Sequence, residues 1–391
     1  NRQILRGAMR VALVHDWITG MRGGERCLDV FVKLYPNADI FTLIHIPGTT
    51  NSAIDSRVVQ TSFLQKIPGI RKFYRYFLPL YPLAIRGFDF SEYDLVISLS
   101  HAAAKNISVP RGVKHICYCF TPMRYIWDQA DSYFGKAVLV LWPIIRLLRE
   151  WDVRASQRVD KFVAISKFVA GRIRKYYARN SRVIYPPVDN TWITPIADYF
   201  PGEAFLYAGA LVPYKNVDSV VRAFNKLGEK LWIVGEGPEK ERLQKMADKN
   251  IEFVGFVPDA ELAKYYYRCR ALIFPAKEDF GIIPIECLAA GRPVIGLYAG
   301  ALRESLKGAR HWVRGNLNIR QKSGVFFPQR SSIVQGIIGA VNFFREHEAS
   351  FNPKVCVANA KQFSKQVFVS SWNAFLEDPE SEILLRESAI G

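Results

Sequence analysis

Short apolar runs alternate with amphipathic stretches along most of the chain. Arg10-Val11-Ala12-Leu13-Val14-His15 reads as a buried parallel strand, and residues 26–34 as the helix that follows. Asp94-Leu95-Val96-Ile97-Ser98, Lys114-His115-Ile116-Cys117-Tyr118-Cys119 and Lys161-Phe162-Val163-Ala164-Ile165-Ser166 read as further strands, the last leading into a helix over 167–177. Residues 182–189, with Pro186 and Pro187, form an extended, proline-stiffened segment that closes this half. The alternation then restarts. Strands are predicted at 204–209, 231–235, 251–255, 271–274 and 294–297, and helices at 217–227, 240–247 and 259–268. Another helix begins near Pro284 and ends by Gly291 and Pro293, and a last one covers 367–376 before a frayed end. Strands alternating with helices in both halves predict two parallel α/β sheets with helices on their faces.

Two stretches break this rhythm. Residues 56–88 contain no acidic residue, and Arg57, Lys66, Arg71, Lys72, Arg75 and Arg86 interleave with Phe63, Phe73, Tyr74, Tyr76, Phe77, Tyr81 and Phe88. Cations attract lipid headgroups and aromatic rings suit the interface, so Lys66, Arg71, Lys72, Phe73, Tyr74 and Arg75 are candidate membrane or acceptor contacts. The same pattern also serves a core with a solvated basic face. Residues 133–151, with Phe134, Leu139, Trp142, Ile145 and Leu148 among Lys136, Arg146 and Arg149, read equally as an interfacial helix or a core helix.

The length of 391 residues exceeds one ordinary core and predicts two domains. The longest apolar run, 137–145, is too short to span a bilayer. No signal-peptide pattern is visible, and Met9 is the expected natural start after a polar, basic stretch over 1–8. Cys27, Cys117, Cys119, Cys269, Cys287 and Cys356 lack metal-site spacing and read as free cytosolic thiols. The net charge of +17 suits nucleic acid, anionic lipid or a phosphorylated substrate, but no nucleic-acid-binding motif accompanies it.

The stretch Ala276-Lys277-Glu278-Asp279-Phe280-Gly281-Ile282-Ile283-Pro284-Ile285-Glu286 joins a strand to a helix N-terminus. Free N–H groups at such a helix start favour an anion, and flanking carboxylates accept hydrogen bonds from sugar hydroxyls. Spacing alone allows equally an acidic helix cap with a surface glutamate. Gly23 and Gly24, between the first strand and helix, either bring backbone amides to a ligand or form an ordinary turn.

Taken together, these residues resemble glycosyltransferase family 4, retaining enzymes of the GT-B fold. Glu278 and Glu286 match its E-x7-E signature, and Gly255-Phe256-Val257-Pro258-Asp259, Ala289-Ala290-Gly291-Arg292-Pro293 and Ser323-Gly324-Val325-Phe326-Phe327 also fit. Val14-His15-Asp16-Trp17, Gly23-Gly24-Glu25-Arg26, Thr121-Pro122-Met123-Arg124-Tyr125 and Leu211-Val212-Pro213-Tyr214-Lys215 resemble the WbaZ/AceA-like mannosyltransferases that use GDP-mannose. The resemblance implies two Rossmann-like parallel-sheet domains facing across a cleft. They would be an acceptor and membrane-facing domain over 9–188 and a nucleotide-sugar domain over 189–366, with a helix over 367–391 crossing back to the first.

By position the resemblance implies that Glu286 holds ribose hydroxyls and Glu278 the transferred sugar. Phe280, Gly281 and Ile282 would offer backbone amides, Lys215 would neutralise the diphosphate, and Gly23 and Gly24 would approach it from the other domain. Arg124 would meet acceptor or diphosphate. Two positions depart from the family: Phe120 where near relatives usually carry His, and Ala210 where many carry Arg. The implied activity is retaining transfer of a hexose, mannose from GDP-mannose, to a lipid-linked polyprenyl diphosphate saccharide in polysaccharide biosynthesis. No cofactor or metal is expected. The implied location is cytoplasmic, on the inner face of the cell membrane. A UDP-glucose or UDP-GlcNAc donor, a glycosidase and a catalytically impaired binding or scaffold member are the alternatives.

Overall fold

The computed structural model describes residues 9–128, 130, 135–313, 318–329 and 332–378, and only the backbone of residues 72, 75 and 136. Two compact units emerge: residues up to Pro186 joined by those from Val369 onward, and Pro187–Phe368.

The first unit is built on β1 (Val11–His15), α1 (Gly23–Leu34), β2 (Asp39–Thr42), β3 (Val58–Thr61), β4 (Leu95–Ser100), β5 (Lys114–Cys119), α2 (Val138–Ser156), β6 (Lys161–Ala164), α3 (Lys167–Tyr177) and β7 (Ser181–Val183). Its seven strands are all parallel, in the order β3-β2-β1-β4-β5-β6-β7. Every residue of β1 and β4 is buried, which explains why they read as unbroken apolar runs. The predicted helix after β1 starts earlier than its pattern suggested. Arg22 is extended at the cap and its N–H donates to the Glu25 carboxylate at 3.3 Å, so Gly23 and Gly24 lie in the first turn.

The basic–aromatic stretch after β3 is a chain of short helical turns, from Phe63–Lys66 to Ile85–Gly87. Ile70, Tyr74, Leu78, Tyr81, Ala84 and Ile85 enter the core beside Trp17, Ile145 and Leu148. Tyr74 is therefore a core residue, its ring 5.0 Å from that of Trp17, which corrects its reading as a surface contact. Lys66, Arg71 and Phe73 are exposed, while the side chains of Lys72 and Arg75 lie outside the described set. Helix α2 has one buried face and one exposed apolar face, and Tyr133 and Phe134 lie outside the described residues. Ile145, Leu148 and Ala155 are buried, whereas Leu139 and Val140 are each 81% exposed and Trp142, Ile144 and Leu147 are also exposed. A fully buried ion pair anchors the helix: Lys105 Nζ donates to Asp152 Oδ1 at 2.6 Å, and Asn106, Trp127 and Tyr177 satisfy the remaining carboxylate positions. Such a pair is tolerated in a core because every polar atom of the carboxylate is bonded.

The second unit repeats the plan with β8 (Ala204–Ala208), α4 (Val217–Leu227), β9 (Leu231–Val234), α5 (Lys240–Met246), β10 (Ile251–Gly255), α6 (Asp259–Arg268), β11 (Cys269–Phe274), α7 (Ile282–Ala289), β12 (Val294–Leu297), β13 (Gly308–Arg310), β14 (Gly324–Phe327), α8 (Ile333–His347) and α9 (Pro353–Lys361). Its parallel sheet runs β10-β9-β8-β11-β12-β14-β13. The last helix, α10 (Lys365–Glu377), begins in this unit and ends in the first, where the Trp372 indole N–H donates to Tyr35 Oη at 2.9 Å.

Each sheet changes direction between two neighbouring strands, β1 and β4 in the first unit, β8 and β11 in the second. In doubly wound sheets, ligands bind beyond the carboxyl ends of the strands at this switch.

Candidate functional site

In the second unit the switch lies between the loop after β8 and the loop after β11. The first loop carries Lys215 and the second Glu278, and Lys215 Nζ stands 3.0 Å from Glu278 Oε1, both side chains partly exposed. Asn216 adopts a left-handed conformation, and its side chain donates to the Pro275 carbonyl at 3.1 Å, tying the two loops together. Beneath them Tyr207 donates its hydroxyl to the Ala210 carbonyl at 3.1 Å. Burial, then the negative charge of Glu278, pushes the Tyr207 phenol up, so it stays a neutral donor. Ala210 itself is exposed.

Gly281 caps α7 with a φ of 86°, a conformation that turns the chain directly into the helix. The first N–H groups of a helix have no intrahelical partner, and they carry the positive end of the dipole. Phe280 turns its ring inward onto Phe363 at 5.4 Å, so its contribution to the loop surface is through the backbone. The Glu278 backbone is held from behind: its carbonyl accepts from Ala301 N–H at 3.0 Å. A Cβ on Gly300, whose φ is 59°, would stand 2.4 Å from that carbonyl oxygen.

Glu286 lies on the first turns of α7 and is buried, with the Tyr266 hydroxyl donating to its Oε2 at 2.9 Å. Burial, followed by the Glu286 charge, raises the Tyr266 phenol far above its ordinary value, which keeps the proton on the donor. The structure thus brings Lys215, Glu278, Gly281 and Ile282 to one loop cluster, and sets Glu286 one helical turn behind it.

In the first unit the switch carries a different set. Asp16 follows β1 and is fully buried, and its carboxylate accepts the backbone N–H groups of His101, Ala102, Ala103 and Ala104 at 2.5–2.9 Å. Burial alone would raise its pKa, but the His101 charge and these N–H bonds more than offset it, and the carboxyl sits below its ordinary value. His101 Nδ1 is 3.1 Å from Asp16 Oδ2. In the sequence Asp16 stands only as part of a motif; the loop amides that its carboxylate binds carry no sequence signal. Gly24 lies against the His15 ring, where a Cβ would stand 3.3 Å from Cε1. Arg124 is half-buried in the same unit. Among the described residues, no group of three or more His, Cys, Asp or Glu side chains could hold a metal ion.

Residues 21–192 match the model of Glycosyltransferase Family 4, and residues 202–330 that of Glycosyl transferases group 1. Together they cover most of both units, and the chain belongs to this glycosyltransferase family. An uncharacterised glycosyltransferase of Methanocaldococcus jannaschii is 28% identical over 155 residues, which is 38% of this chain and 43% of that protein. The serotype-specific mannosyltransferase WbdA of Escherichia coli is 24% identical over 247 residues, 54% of this chain and 29% of that one. The matches thus span less than half the length of these curated relatives. The crystal structure of HepE of Anabaena in complex with UDP superposes with a TM-score of 0.64 at 15% identity, covering 94% of this chain and all of that one. With its two parallel sheets of seven strands, the chain has the GT-B fold of two Rossmann-like domains.

Proposed function

We propose that this protein is a retaining glycosyltransferase that moves a hexose, mannose from GDP-mannose in the favoured reading, onto a lipid-linked saccharide. The observation that carries the reading is the Lys215–Glu278 pair, 3.0 Å apart at the switch of the second sheet and beside the start of α7. A cation and helix amides suit a diphosphate, and a carboxylate suits sugar hydroxyls. On sugar binding Glu278 exchanges its partner for hydroxyl groups, and Lys215 turns to the leaving diphosphate, where a fixed positive charge stabilises the developing anion. The amides of Phe280, Gly281 and Ile282 add to that charge. Glu286, beside the Tyr266 donor, takes ribose hydroxyls, and Gly23, Gly24 and Arg124 serve from the first unit. The leaving phosphate itself takes the acceptor proton. The reading needs no metal, since positioning and charge stabilisation supply the catalysis.

Similarity to a mannosyltransferase supports the mannosyl donor. HepE, solved with UDP, favours the second reading, a UDP-sugar donor on the same site. Thermal-shift measurement with GDP, UDP and ADP decides between them. Stabilisation by GDP supports GDP-mannose, and stabilisation by UDP alone sinks it. Release of nucleotide that depends on a saccharide acceptor separates transfer from hydrolysis.

The reading includes a place on the inner face of the cell membrane, at an anionic surface where a polyprenyl diphosphate acceptor resides. Its support is the apolar outer face of α2, with Phe73, Tyr76 and Leu83 exposed on the neighbouring turns beside the cations Lys66 and Arg71. Among the described residues, no helix is long and apolar enough to cross a membrane. Flotation with anionic liposomes tests this: Leu139→Ser with Leu147→Ser should weaken binding by on the order of 100-fold or more, since each buried leucine contributes about 1.5–3 kcal/mol. Unchanged flotation would remove the membrane from the proposal.

A further inference from the structure

The second unit carries its densest positive charge just before β14. Between residues 187 and 302 acids outnumber Lys and Arg, whereas residues 303–322 hold Arg303, Lys307, Arg310, Arg314, Arg320 and Lys322 against the single acid Glu304. Two of these cations meet at one ring. Tyr298 directly follows β12, and the guanidinium of Arg303, on the short turn Leu302–Ser305, lies 4.8 Å from its centroid. That of Arg310, the last residue of β13, lies 5.7 Å from the same centroid. Among the described residues neither guanidinium has a carboxylate partner.

The ring between them is fixed. The Tyr298 N–H donates to the Phe327 carbonyl at 2.8 Å, and the Phe326 ring lies 5.0 Å from that of Tyr298. Trp312 stands 5.8 Å from Tyr298 and is exposed. His311 holds Trp312 in turn: its Nδ1 donates to the Phe326 carbonyl at 3.0 Å, and its ring meets the indole edge-on at 5.4 Å. Two like charges on one ring repel, and the π face offsets only part of that repulsion. An anion between two planar guanidinium forks satisfies both. The exposed indole beside it offers a flat apolar face, which suits the C–H face of a pyranose ring.

Tyr298 and Arg310 stand at the carboxyl ends of β12 and β13, the side on which parallel sheets take ligands. Gly300, two residues past Tyr298, packs on the Glu278 backbone, so one loop touches both places. A lipid surface is the rival partner for a basic, aromatic cluster. Trp312 and Val313 are each only 39% exposed, against 81% for Leu139 and Val140 on α2, and so little apolar area gives a bilayer weak purchase.

We propose that Tyr298, Arg303, Arg310 and Trp312 form a second saccharide site on this unit, one that binds an acidic sugar residue of a glycan. Arg303 and Arg310 take the carboxylate of a uronate or the phosphate of a sugar phosphate, and Trp312 stacks on the ring that carries it. No bond is made or broken there. The site goes beyond the donor reaction, and its occupancy is measured without turnover.

The test uses the whole chain labelled with fluorotryptophan, the Trp312 signal being assigned through Trp312→Phe. In fluorine NMR, methyl β-D-glucuronide or mannose 6-phosphate should shift that signal saturably, and the tighter of the two identifies the anionic substituent. Methyl α-D-mannopyranoside, which is neutral, should bind at least about tenfold more weakly. Arg303→Gln and Arg310→Gln should each weaken binding of the acidic sugar about tenfold, with melting temperature unchanged. Arg310→Lys, which keeps the charge without the fork, should lose less than Arg310→Gln. Inorganic phosphate or acetate that binds as tightly as the sugar bearing the same anionic group would mean that no sugar is recognised, and would overturn the inference. Equal binding of the neutral mannoside, a signal that moves only with phosphatidylglycerol vesicles, or no shift with either acidic sugar at millimolar concentration would each overturn it as well.

Discussion

The two units share the order of their first five strands yet put opposite chemistry at the same topological point. In the second unit the switch carries Lys215 and Glu278, partly exposed and paired to each other across two loops. In the first it carries Asp16, sealed from water and bonded to four consecutive backbone N–H groups. Exposed pairs contribute about 0–1 kcal/mol and exchange partners easily. A buried carboxylate has no such freedom, because its loss strands every donor aimed at it. The comparison teaches that charge at the second switch is available to a substrate, whereas charge at the first is spent on building the loop that follows β4.

Removing Asp16 should have the largest effect. Asp16→Ala leaves four buried donors without their acceptor, and about 3–5 kcal/mol of stability should be lost. Urea unfolding followed by hydrogen exchange should locate that loss in the first unit, with the second unchanged. A variant as stable as the parent would mean that the loop does not depend on the carboxylate.

Glu278→Gln and Lys215→Ala should do the reverse. Each should lower turnover by about 100- to 1,000-fold, the scale for removing one group that meets developing charge. Melting temperatures should move little, because the pair is partly exposed. The double variant should lose far less than the product of the two, since both act on one sugar diphosphate. Full additivity would separate their roles.

Gly300→Ala probes how the second switch is held. The backbone there is left-handed, and the new methyl would meet the Glu278 carbonyl oxygen at 2.4 Å. Strain of this kind costs about 1–3 kcal/mol, and Glu278 moves with its backbone. Stability should therefore fall by that amount while turnover falls well beyond it, seen by comparing thermal melts with nucleotide release.

The sequence pattern made the strands legible where they are buried on both faces. Residues 114–119 and 294–297 appear with the ends expected, because largely apolar buried runs have few other uses. Strands β2, β3, β13 and β14 gave no strand signal. Asp39–Thr42 and Val58–Thr61 are short, and β3 lies at a sheet edge, where only one ladder and partial burial leave a mark on composition. Helices α8 and α9 were likewise missed. The site was half legible. Glu278 and Lys215 stand in motifs, but their ion pair depends on Asn216 and Gly300, residues whose role appears only in three dimensions. The Asp16–His101 pair joins residues 85 apart in sequence, through amides that any loop composition could offer.

A pH-dependent effect follows from the two buried histidines with lowered pKa values, which both lie in the first unit. Burial, together with the His101 charge, brings His15 to about 4, and burial with the nearby Arg158 charge brings His115 to about 3. Unfolded histidine titrates near 6.5. Between that value and the folded ones, the unfolded chain binds protons that the folded chain refuses, so stability falls as pH drops through this window. Above about pH 7 both states are neutral and the dependence vanishes. From pH 7 to pH 5 each histidine should cost about 2 kcal/mol. His15→Phe should remove its share, flattening the pH dependence of unfolding while leaving the His115 contribution. The Ser98 hydroxyl lies 2.8 Å from His115 Nε2, and it can donate to the neutral ring, which is the form that neutral pH favours. Hydrogen exchange at pH 5 should therefore report early opening of β1 and β5, ahead of β8 and β11. An acid response spread evenly over both units would show that the buried histidines are not its source.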